Sequence, residues 1–222
     1  MPSAIKLIVG LGNPGPDHLL TRHNAGFWFV DALAEKYKLR FRRALKFHSG
    51  VCRLTTSSCD CFLCKPSNFM NRSGGAVQAI ASFYKIVPQE ILVAHDEIDL
   101  PPGVIRIKRG GGHGGHNGLR DIIENLGDNS FNRLRIGVGH PGSSDLVVDH
   151  VLNRASPAEE EMIMQGIASA LESIPQILAG ELQKVMNKLH RSAKLKVKSE
   201  KEDSEKVKVE SEKKDNKEND LD

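Results

Sequence analysis

Residues 5–15 read Ile5-Lys6-Leu7-Ile8-Val9-Gly10-Leu11-Gly12-Asn13-Pro14-Gly15, an apolar run that leads directly into a glycine-rich loop. A short apolar run without polar alternation is typical of a strand buried on both faces of a sheet. A helical pattern follows from about Arg22, with Phe27, Val30 and Leu33 among the apolar residues on one face. A strand, a glycine turn and a helix in this order predict the first unit of an α/β domain.

Strands and helices continue to alternate along the chain. The sequence predicts strands at 47–54, 61–65, 91–94, 104–108 and 133–138, and helices at 71–84, 119–126, from Pro157 onward and at about 180–190. This alternation predicts a single α/β domain over residues 1–191. Its sheet is expected to be mixed but mostly parallel, with helices covering both faces.

The composition bounds the class of protein. The 222 residues are 39% hydrophobic, with 31 Lys or Arg against 28 Asp or Glu. The small basic excess is compatible with a polyanionic partner without requiring one. No apolar run reaches the roughly 18 residues of a membrane helix, and the first strand leaves no room for a targeting segment. We therefore expect a cytoplasmic protein without a membrane partner.

The C-terminal segment, residues 192–222, has a different composition. It holds nine Lys and ten Asp or Glu, with no aromatic residue, Gly or Pro. Too few apolar residues are present to build a core, so the sequence predicts a disordered charged tail. A solvated appendage is the favoured interpretation, and contact with RNA is the alternative.

Four cysteines lie close together in the sequence: Cys52, Cys59, Cys61 and Cys64. On a strand, residues 59 and 61 would share one face while residue 64 would point away, so their thiolates would not converge on a zinc ion. Buried, reduced thiols are the favoured interpretation over a zinc site.

The spacing Gly10-x-Gly12-x-x-Gly15 also matches the dinucleotide-binding fingerprint. Two features argue against that function. Pro14 removes an amide that would bind a pyrophosphate, and no acidic residue ends the second predicted strand, where one would bind a ribose. A dinucleotide-dependent oxidoreductase is kept as an alternative that cofactor absorbance would reveal.

Polar side chains follow two of the predicted buried strands. Asn13 comes after the first strand, and Asp96 follows the apolar run 91–94. Since ligands bind at the carboxyl ends of parallel strands, both side chains are expected at one rim. His23 stands at the first turn of the next helix, where Asp96 can orient its imidazole and raise its basicity. We interpret them as a general-base pair, against the alternative that His23 is a surface or capping residue.

A second set of polar residues lies within the glycine run Gly110 to Gly118, where Asn117 precedes the last glycine. So many glycines are costly in conformational entropy, which indicates a backbone that approaches a ligand closely. The run opens onto a helix N-terminus, which favours an anion, although the Gly-Lys-Ser/Thr ending of a P-loop is absent. His113 and His116 have no companion ligands at a suitable spacing, so no metal site is predicted. Asn71 lies at the start of another predicted helix. Its side chain could serve either to cap that helix or to bind a ligand.

Two pairs of cations flank the glycine run. Arg106 and Lys108 lie two apart on one predicted strand, and Arg133 and Arg135 lie two apart on another, so each pair shares one face. This spacing suits a chain of phosphates, whereas surface ion pairs are the alternative.

Five motifs, in order, resemble the bacterial-type peptidyl-tRNA hydrolases. They are Ile8-Val9-Gly10-Leu11-Gly12-Asn13-Pro14-Gly15 with Thr21-Arg22-His23-Asn24-Ala25-Gly26, then Lys65-Pro66 with Phe69-Met70-Asn71-x-Ser73-Gly74, His95-Asp96-Glu97-x-Asp99-Leu100-Pro101, the run Gly110 to Gly118, and Arg135-Ile136-Gly137-x-Gly139-His140-Pro141-Gly142. The resemblance covers residues 5–189 and leaves only the tail outside.

The resemblance implies hydrolysis of the ester between a peptide, or an N-blocked aminoacyl group, and the 3′ ribose of tRNA. The released tRNA would return to translation, and the enzyme would be a monomer without metal or cofactor. His23 would be the general base that activates water, and Asp96 would orient it. The peptidyl and acceptor ends would be bound by Asn13, Met70, Asn71, His116 and Asn117. Lys108 and Arg135, and secondarily Arg106 and Arg133, would hold tRNA phosphate.

Three further implications concern details of the site. A side-chain amide of Asn13, Asn71 or Asn117 can donate to the oxyanion that develops during hydrolysis. Residues 142–151 resemble the mobile lid that covers the cleft in this family. His18 stands where many members carry a Tyr, and we include it among the substrate-binding residues.

A non-catalytic RNA-binding relative, similar to the plastid splicing factor built on this fold, is the alternative from another class. It would keep the fold and the basic groove while relaxing the polar set. The presence of His23, Asp96 and the three asparagines favours the enzyme.

Overall fold

The computed structural model describes residues 3–56 and 59–189, so the predicted tail lies outside the described residues. In this range the strands are β1 (Leu7–Gly10), β2 (Arg42–Ala44), β3 (Ser49–Thr55), β4 (Asp60–Pro66), β5 (Ile91–Glu97), β6 (Ile105–Arg109) and β7 (Asn132–Gly137). They form one sheet in the order β2-β3-β4-β1-β5-β7-β6.

The four central strands, β4, β1, β5 and β7, run parallel to one another. The outer strands β2, β3 and β6 pair in antiparallel fashion. This confirms the predicted mixed, mostly parallel sheet, in which four of the seven described strands run parallel. Strand β2 was not predicted, because its three residues lie at the sheet edge, include two exposed arginines and show no apolar alternation.

Seven helices are described: α1 (Ala25–Lys36), α2 (Gly74–Tyr84), α3 (Asn117–Leu126), α4 (Val147–Leu152), α5 (Pro157–Leu171), α6 (Ile174–Leu178) and α7, residues 182–189. One core cluster joins α1, α5, α6 and α7 to one face of the sheet. A second cluster joins α2 and α3 to the other face, so both faces are covered as predicted. Neither α4 nor α6 was predicted as a helix.

Two glycines bring the start of α1 against the centre of the sheet. A Cβ on Gly26 would lie 2.3 Å from the carbonyl oxygen of Ala94, and a Cβ on Gly10 would lie 2.3 Å from that of Gly26. Such distances leave no room for any side chain. The turn before α1, Arg22–Asn24, is thereby held close to the carboxyl ends of β1 and β5.

The described cysteines are free thiols, and Cys52, Cys61 and Cys64 are buried. Cys61 and Cys64 pack into different core clusters, as expected from their spacing on β4. Burial raises the pKa of Cys52 to about 11 and that of Cys64 to about 12. Among the described helices, none has the length and apolar character needed to cross a membrane.

Candidate active site

A histidine–aspartate pair lies where β5 meets the turn before α1. The Nδ1 atom of His23 lies 3.0 Å from both carboxylate oxygens of Asp96, and both side chains are buried. Nδ1 therefore carries the proton and donates it to the carboxylate. Nε2 makes no hydrogen bond within the described part of the chain and is the nitrogen left to act as a base. The structure thus brings together the two predicted catalytic residues.

The two groups shift each other's protonation. Burial acts to lower the pKa of His23, but the negative charge of Asp96 and its hydrogen bond outweigh burial and raise that pKa above the usual imidazole value. Burial acts to raise the pKa of Asp96, but His23 and His116 hold it well below its usual range. Asp96 therefore stays ionised at neutral pH and makes His23 a stronger base.

His116 contacts the same carboxylate from the glycine run. Its Nε2 lies 3.0 Å from Oδ1 of Asp96, while its Nδ1 accepts hydrogen bonds from the backbone amides of Gly118 and Leu119 at 3.1 and 3.3 Å. The proton of the neutral ring is therefore on Nε2. These amides belong to the first turn of α3, so the expectation that this helix end binds an anion is corrected: His116 caps it instead.

A third histidine, His95, was not identified as a site residue by the sequence analysis. It is 2% exposed, and its Nδ1 lies 2.7 Å from the backbone carbonyl oxygen of Asp96. Its ring packs edge-on against His116 with centroids 5.0 Å apart. Burial, followed by the proximity of His116, lowers the pKa of His95 to about 3, so the ring is neutral at physiological pH. Its position next to Asp96 in the third motif was the sequence feature that could have identified it as a site residue.

The nitrogen and oxygen atoms of His23, Asp96 and His116 lie within 4.8 Å of one another, a spacing that a metal ion could bridge. This set differs from the pair His113 and His116 considered in the sequence. Both imidazole protons that face Asp96 are already donated to it, so an ion would have to displace them. The arrangement is better described as a hydrogen-bonded network around one carboxylate.

Asn13 is held in a single orientation at the end of β1. Its Oδ1 accepts a hydrogen bond from the backbone amide of Met70 at 2.8 Å, which only an oxygen can do. Its backbone is fixed by Asn24, whose Oδ1 accepts from Asn13 N at 2.7 Å and whose Nδ2 donates to Asn13 O at 3.0 Å. The side-chain Nδ2 of Asn13 is left as a preoriented donor at the cavity.

The other two asparagines are exposed. Asn117 begins α3, and its Oδ1 accepts a hydrogen bond from Arg120 at 2.9 Å, which leaves its Nδ2 as a donor. Asn71 lies in a short helical turn, Met70–Arg72, before α2 and caps no helix. Both line the same cavity as Asn13, together with the buried Met70.

The cavity has a volume of about 350 Å³ and a polar end formed by Asn13, His23, Asp96 and His116. One wall is apolar and comes from α4 through four side chains, Val147, Val148, Val151 and Leu152. Phe69 and Ile98 extend the apolar lining. The position of α4 beside the cavity agrees with the predicted lid at 142–151, whose mobility stays a prediction. The apolar lining residues were missed because no periodic pattern marked them.

His18 lies next to one residue of this lining, Phe69. Its ring packs edge-on against Phe69 with centroids 6.1 Å apart, but it is not among the residues that line the cavity. A direct contact between His18 and the substrate therefore stays a prediction.

Each pair of cations shares one face of its strand, as predicted, and the strand register places all four on the same face of the β6–β7 pair. Arg106 lies directly opposite Arg135, and Lys108 lies opposite Arg133. Arg133 is buried and donates to the carbonyl oxygens of Gly111 and Gly112, so its predicted role in holding phosphate is corrected to one of fixing the glycine run. The Nε of Arg135 pairs with Glu97 at 2.7 Å, whereas Lys108 is exposed.

The site combines an ionised aspartate, a histidine whose pKa it raises and a fixed amide donor in a cleft of an α/β sheet. This arrangement suits hydrolysis by general-base catalysis. The chain belongs to the peptidyl-tRNA hydrolase family, whose family model matches residues 7–199.

Proteins with that name are similar over most of their length. The peptidyl-tRNA hydrolase of Neisseria meningitidis serogroup A is 53% identical over 190 residues, which cover 86% of this chain and 99% of that protein. The protein of Halorhodospira halophila is 55% identical over 185 residues, covering 83% and 95%. The crystal structure of the Acinetobacter baumannii enzyme has 50% identity and a TM-score of 0.80, and covers 83% of this chain and 94% of that one.

Proposed function

We propose that this chain hydrolyses the ester bond between a peptide, or an N-blocked aminoacyl group, and the 3′ ribose of tRNA. Membership of the peptidyl-tRNA hydrolase family supports the assignment of peptidyl-tRNA as the substrate. The observation that carries the chemistry is the buried pair of His23 and Asp96 opening onto a cavity. The alternative of a non-catalytic RNA-binding relative is not supported, because the catalytic groups are present and assembled.

The proposed reaction uses water as the nucleophile. Nε2 of His23 removes a proton from a water molecule as its oxygen attacks the ester carbonyl carbon. Asp96 stabilises the imidazolium that forms, and the carbonyl oxygen becomes an oxyanion. When this intermediate collapses, the bond to the ribose oxygen breaks and that oxygen takes the proton from His23. The products are a peptide with a free carboxyl group and tRNA with a free 3′ hydroxyl, and no metal or cofactor is needed.

Asn13 is the proposed donor to the oxyanion. Its amide is buried and oriented by Met70, so that little reorganisation is needed during the reaction. Asn71 and Asn117 are exposed and are assigned to substrate binding. Removing a preoriented oxyanion donor typically lowers kcat by about 10²- to 10³-fold.

The tRNA is proposed to lie along the cations of β6 and β7. Two like charges placed directly opposite on neighbouring strands are destabilising, which is understandable where a polyanion binds. Lys108 and Arg135 are the proposed phosphate ligands, with Arg106 beside them, and the apolar wall of α4 faces the peptide. Because the substrate belongs to translation, we propose that the protein acts in the cytoplasm, and that it does so as a monomer.

The test is incubation of the full chain with N-acetylaminoacyl-tRNA in the presence of a chelator, with release of free tRNA measured over time. The His23→Ala variant serves as the matched control. We expect rapid release by the wild-type protein and none above the uncatalysed rate by the variant. Release by neither protein would refute the proposed activity, and activity that the chelator abolishes would refute a metal-free mechanism.

A further inference from the structure

Arg22, the residue before the proposed base, has a buried side chain that reaches a distant part of the fold. Its Nη1 atom lies 3.1 Å from the carbonyl oxygen of His150, 3.4 Å from that of Asn153 and 2.9 Å from that of Arg154. These are carbonyls at the C-terminal end of α4 and just beyond it, which lack partners within the helix. One guanidinium therefore donates to one carbonyl of α4 and to two carbonyls of the segment that follows it.

The same guanidinium also joins α4 to α5. Nη2 of Arg22 lies 2.9 Å from Oε2 of Glu159, in the first turn of α5. That carboxylate is fixed in turn by Ser156, whose backbone amide and hydroxyl donate to it at 2.9 and 2.8 Å. The backbone makes a second connection between the same two segments. Arg22 N donates to Asn153 O at 3.2 Å, and Thr21 forms an antiparallel β-bridge with Arg154.

The two ends of this connection carry opposite parts of the site. On one side, His23 follows Arg22 in the chain and contacts Asp96. On the other, Val147, Val148, Val151 and Leu152 of α4 form the apolar wall of the cavity. A displacement of Arg22 therefore changes the position of the wall relative to the base.

We propose that Arg22 is a positioning residue that holds the apolar wall of α4 in register with His23. The inference rests on the proposed function and extends it to the substrate: the side chain of the amino acid esterified to tRNA is bound against α4 while its ester carbonyl faces Nε2 of His23. Binding energy from a group remote from the reacting bond is thus used to align that bond. A misplacement of about 1 Å can cost on the order of 10²-fold in rate.

The experiment compares Arg22→Lys, which keeps the charge but loses the fork of donors, with wild type. The matched control is Arg154→Gln, which removes an exposed ion pair to Glu160 at the same junction and leaves the α4 carbonyls untouched. The two substrates are N-acetylphenylalanyl-tRNA and N-acetylglycyl-tRNA. The readout is the ratio of their kcat/KM values, because a ratio measured on one preparation does not depend on the fraction of active protein.

We expect Arg22→Lys to reduce the preference for the phenylalanyl ester by about tenfold relative to wild type. In the variant, binding of the substrate side chain against α4 no longer aligns the ester with His23. Arg154→Gln should leave the ratio within about twofold of wild type, as expected for an exposed ion pair. If Arg22→Lys does not fold, Glu159→Gln weakens the same connection and should shift the ratio in the same direction.

Equal losses on both substrates, with an unchanged ratio, would overturn the inference and leave Arg22 a stabilising residue only. Absence of hydrolysis by the wild-type protein on both substrates would instead overturn the proposed function. The two failures are therefore distinguishable in one set of measurements.

Discussion

Oδ1 of Asp96 accepts a hydrogen bond from Nε2 of His116 at 3.0 Å. The carboxylate that contacts the proposed base, His23, is thus also fixed from the glycine run. Because the other nitrogen of His116 caps α3, one side chain links the start of that helix to the catalytic centre.

The first prediction separates the two contacts of His116. His116→Ala removes both and should lower activity by about tenfold and stability by about 1 kcal/mol, the usual cost of losing a helix cap. His116→Asn keeps an oxygen that can cap α3 and should recover stability without recovering activity. Thermal unfolding and steady-state kinetics on the two variants decide the matter. Full activity in His116→Asn would show that the contact with Asp96 is dispensable.

The second prediction concerns the base. The pKa of His23 is raised, so kcat/KM should increase with pH through a midpoint above the ordinary value of 6.5 as the imidazole loses its proton. Asp96→Asn removes the charge that raises this pKa and should lower both the midpoint and the rate, the latter by roughly 10²-fold. A pH–rate profile on N-acetylaminoacyl-tRNA measures both. An unchanged midpoint in Asp96→Asn would mean that the titrating group is not His23.

The third prediction concerns stability in acid. The folded-state pKa of His95 is lowered to about 3, so between pH 6.5 and 3 the unfolded chain binds a proton that the folded chain does not. Stability should therefore fall with decreasing pH by up to about 1.4 kcal/mol per pH unit from this group. His23, with a raised pKa, acts in the opposite sense: it contributes stability below pH 6.5 that is lost as pH rises through its folded pKa.

Urea unfolding of wild type and His95→Gln at about pH 7, 6, 5 and 4.5 tests this account. The variant should be less stable at neutral pH, because a buried hydrogen bond to Asp96 is perturbed, but should lose less stability as the pH falls. Parallel curves for the two proteins would show that His95 does not govern the acid response.

The fourth prediction concerns tRNA binding. Lys108→Ala should weaken binding and reduce the slope of log K against log salt by about one unit for each phosphate that is no longer neutralised. Arg43→Ala is the matched control, because β2 lies at the opposite edge of the sheet from β6 and Arg43 is also exposed. Arg133→Ala should act differently, since it releases the glycine run and should lower stability. Equal salt slopes for Lys108→Ala and Arg43→Ala would place the tRNA elsewhere.

The sequence predicts the central strands and the His23–Asp96 pair because apolar runs define parallel strands, and polar residues at their ends meet at one rim. It does not predict α4, whose apolar side chains face a cavity and follow no core periodicity. The connection from Arg22 to Glu159 joins residues far apart in the chain, and no local pattern encodes it. Arg133 and Arg135 are two residues apart on the same strand and look equivalent in the sequence. Only tertiary packing buries Arg133 under the glycine run.

The close approach of Gly26 to Ala94 limits the positions at which mutation could change the substrate range of this protein. Even one methyl group at residue 26 would push the turn that carries His23 away from the strand that carries Asp96. Positions 10 and 26 therefore have no space for a side chain, although neither residue lines the cavity. Val148 and Leu152 line the same cavity and are partly exposed to solvent, so substitutions there can change the apolar wall without disturbing the contact between His23 and Asp96.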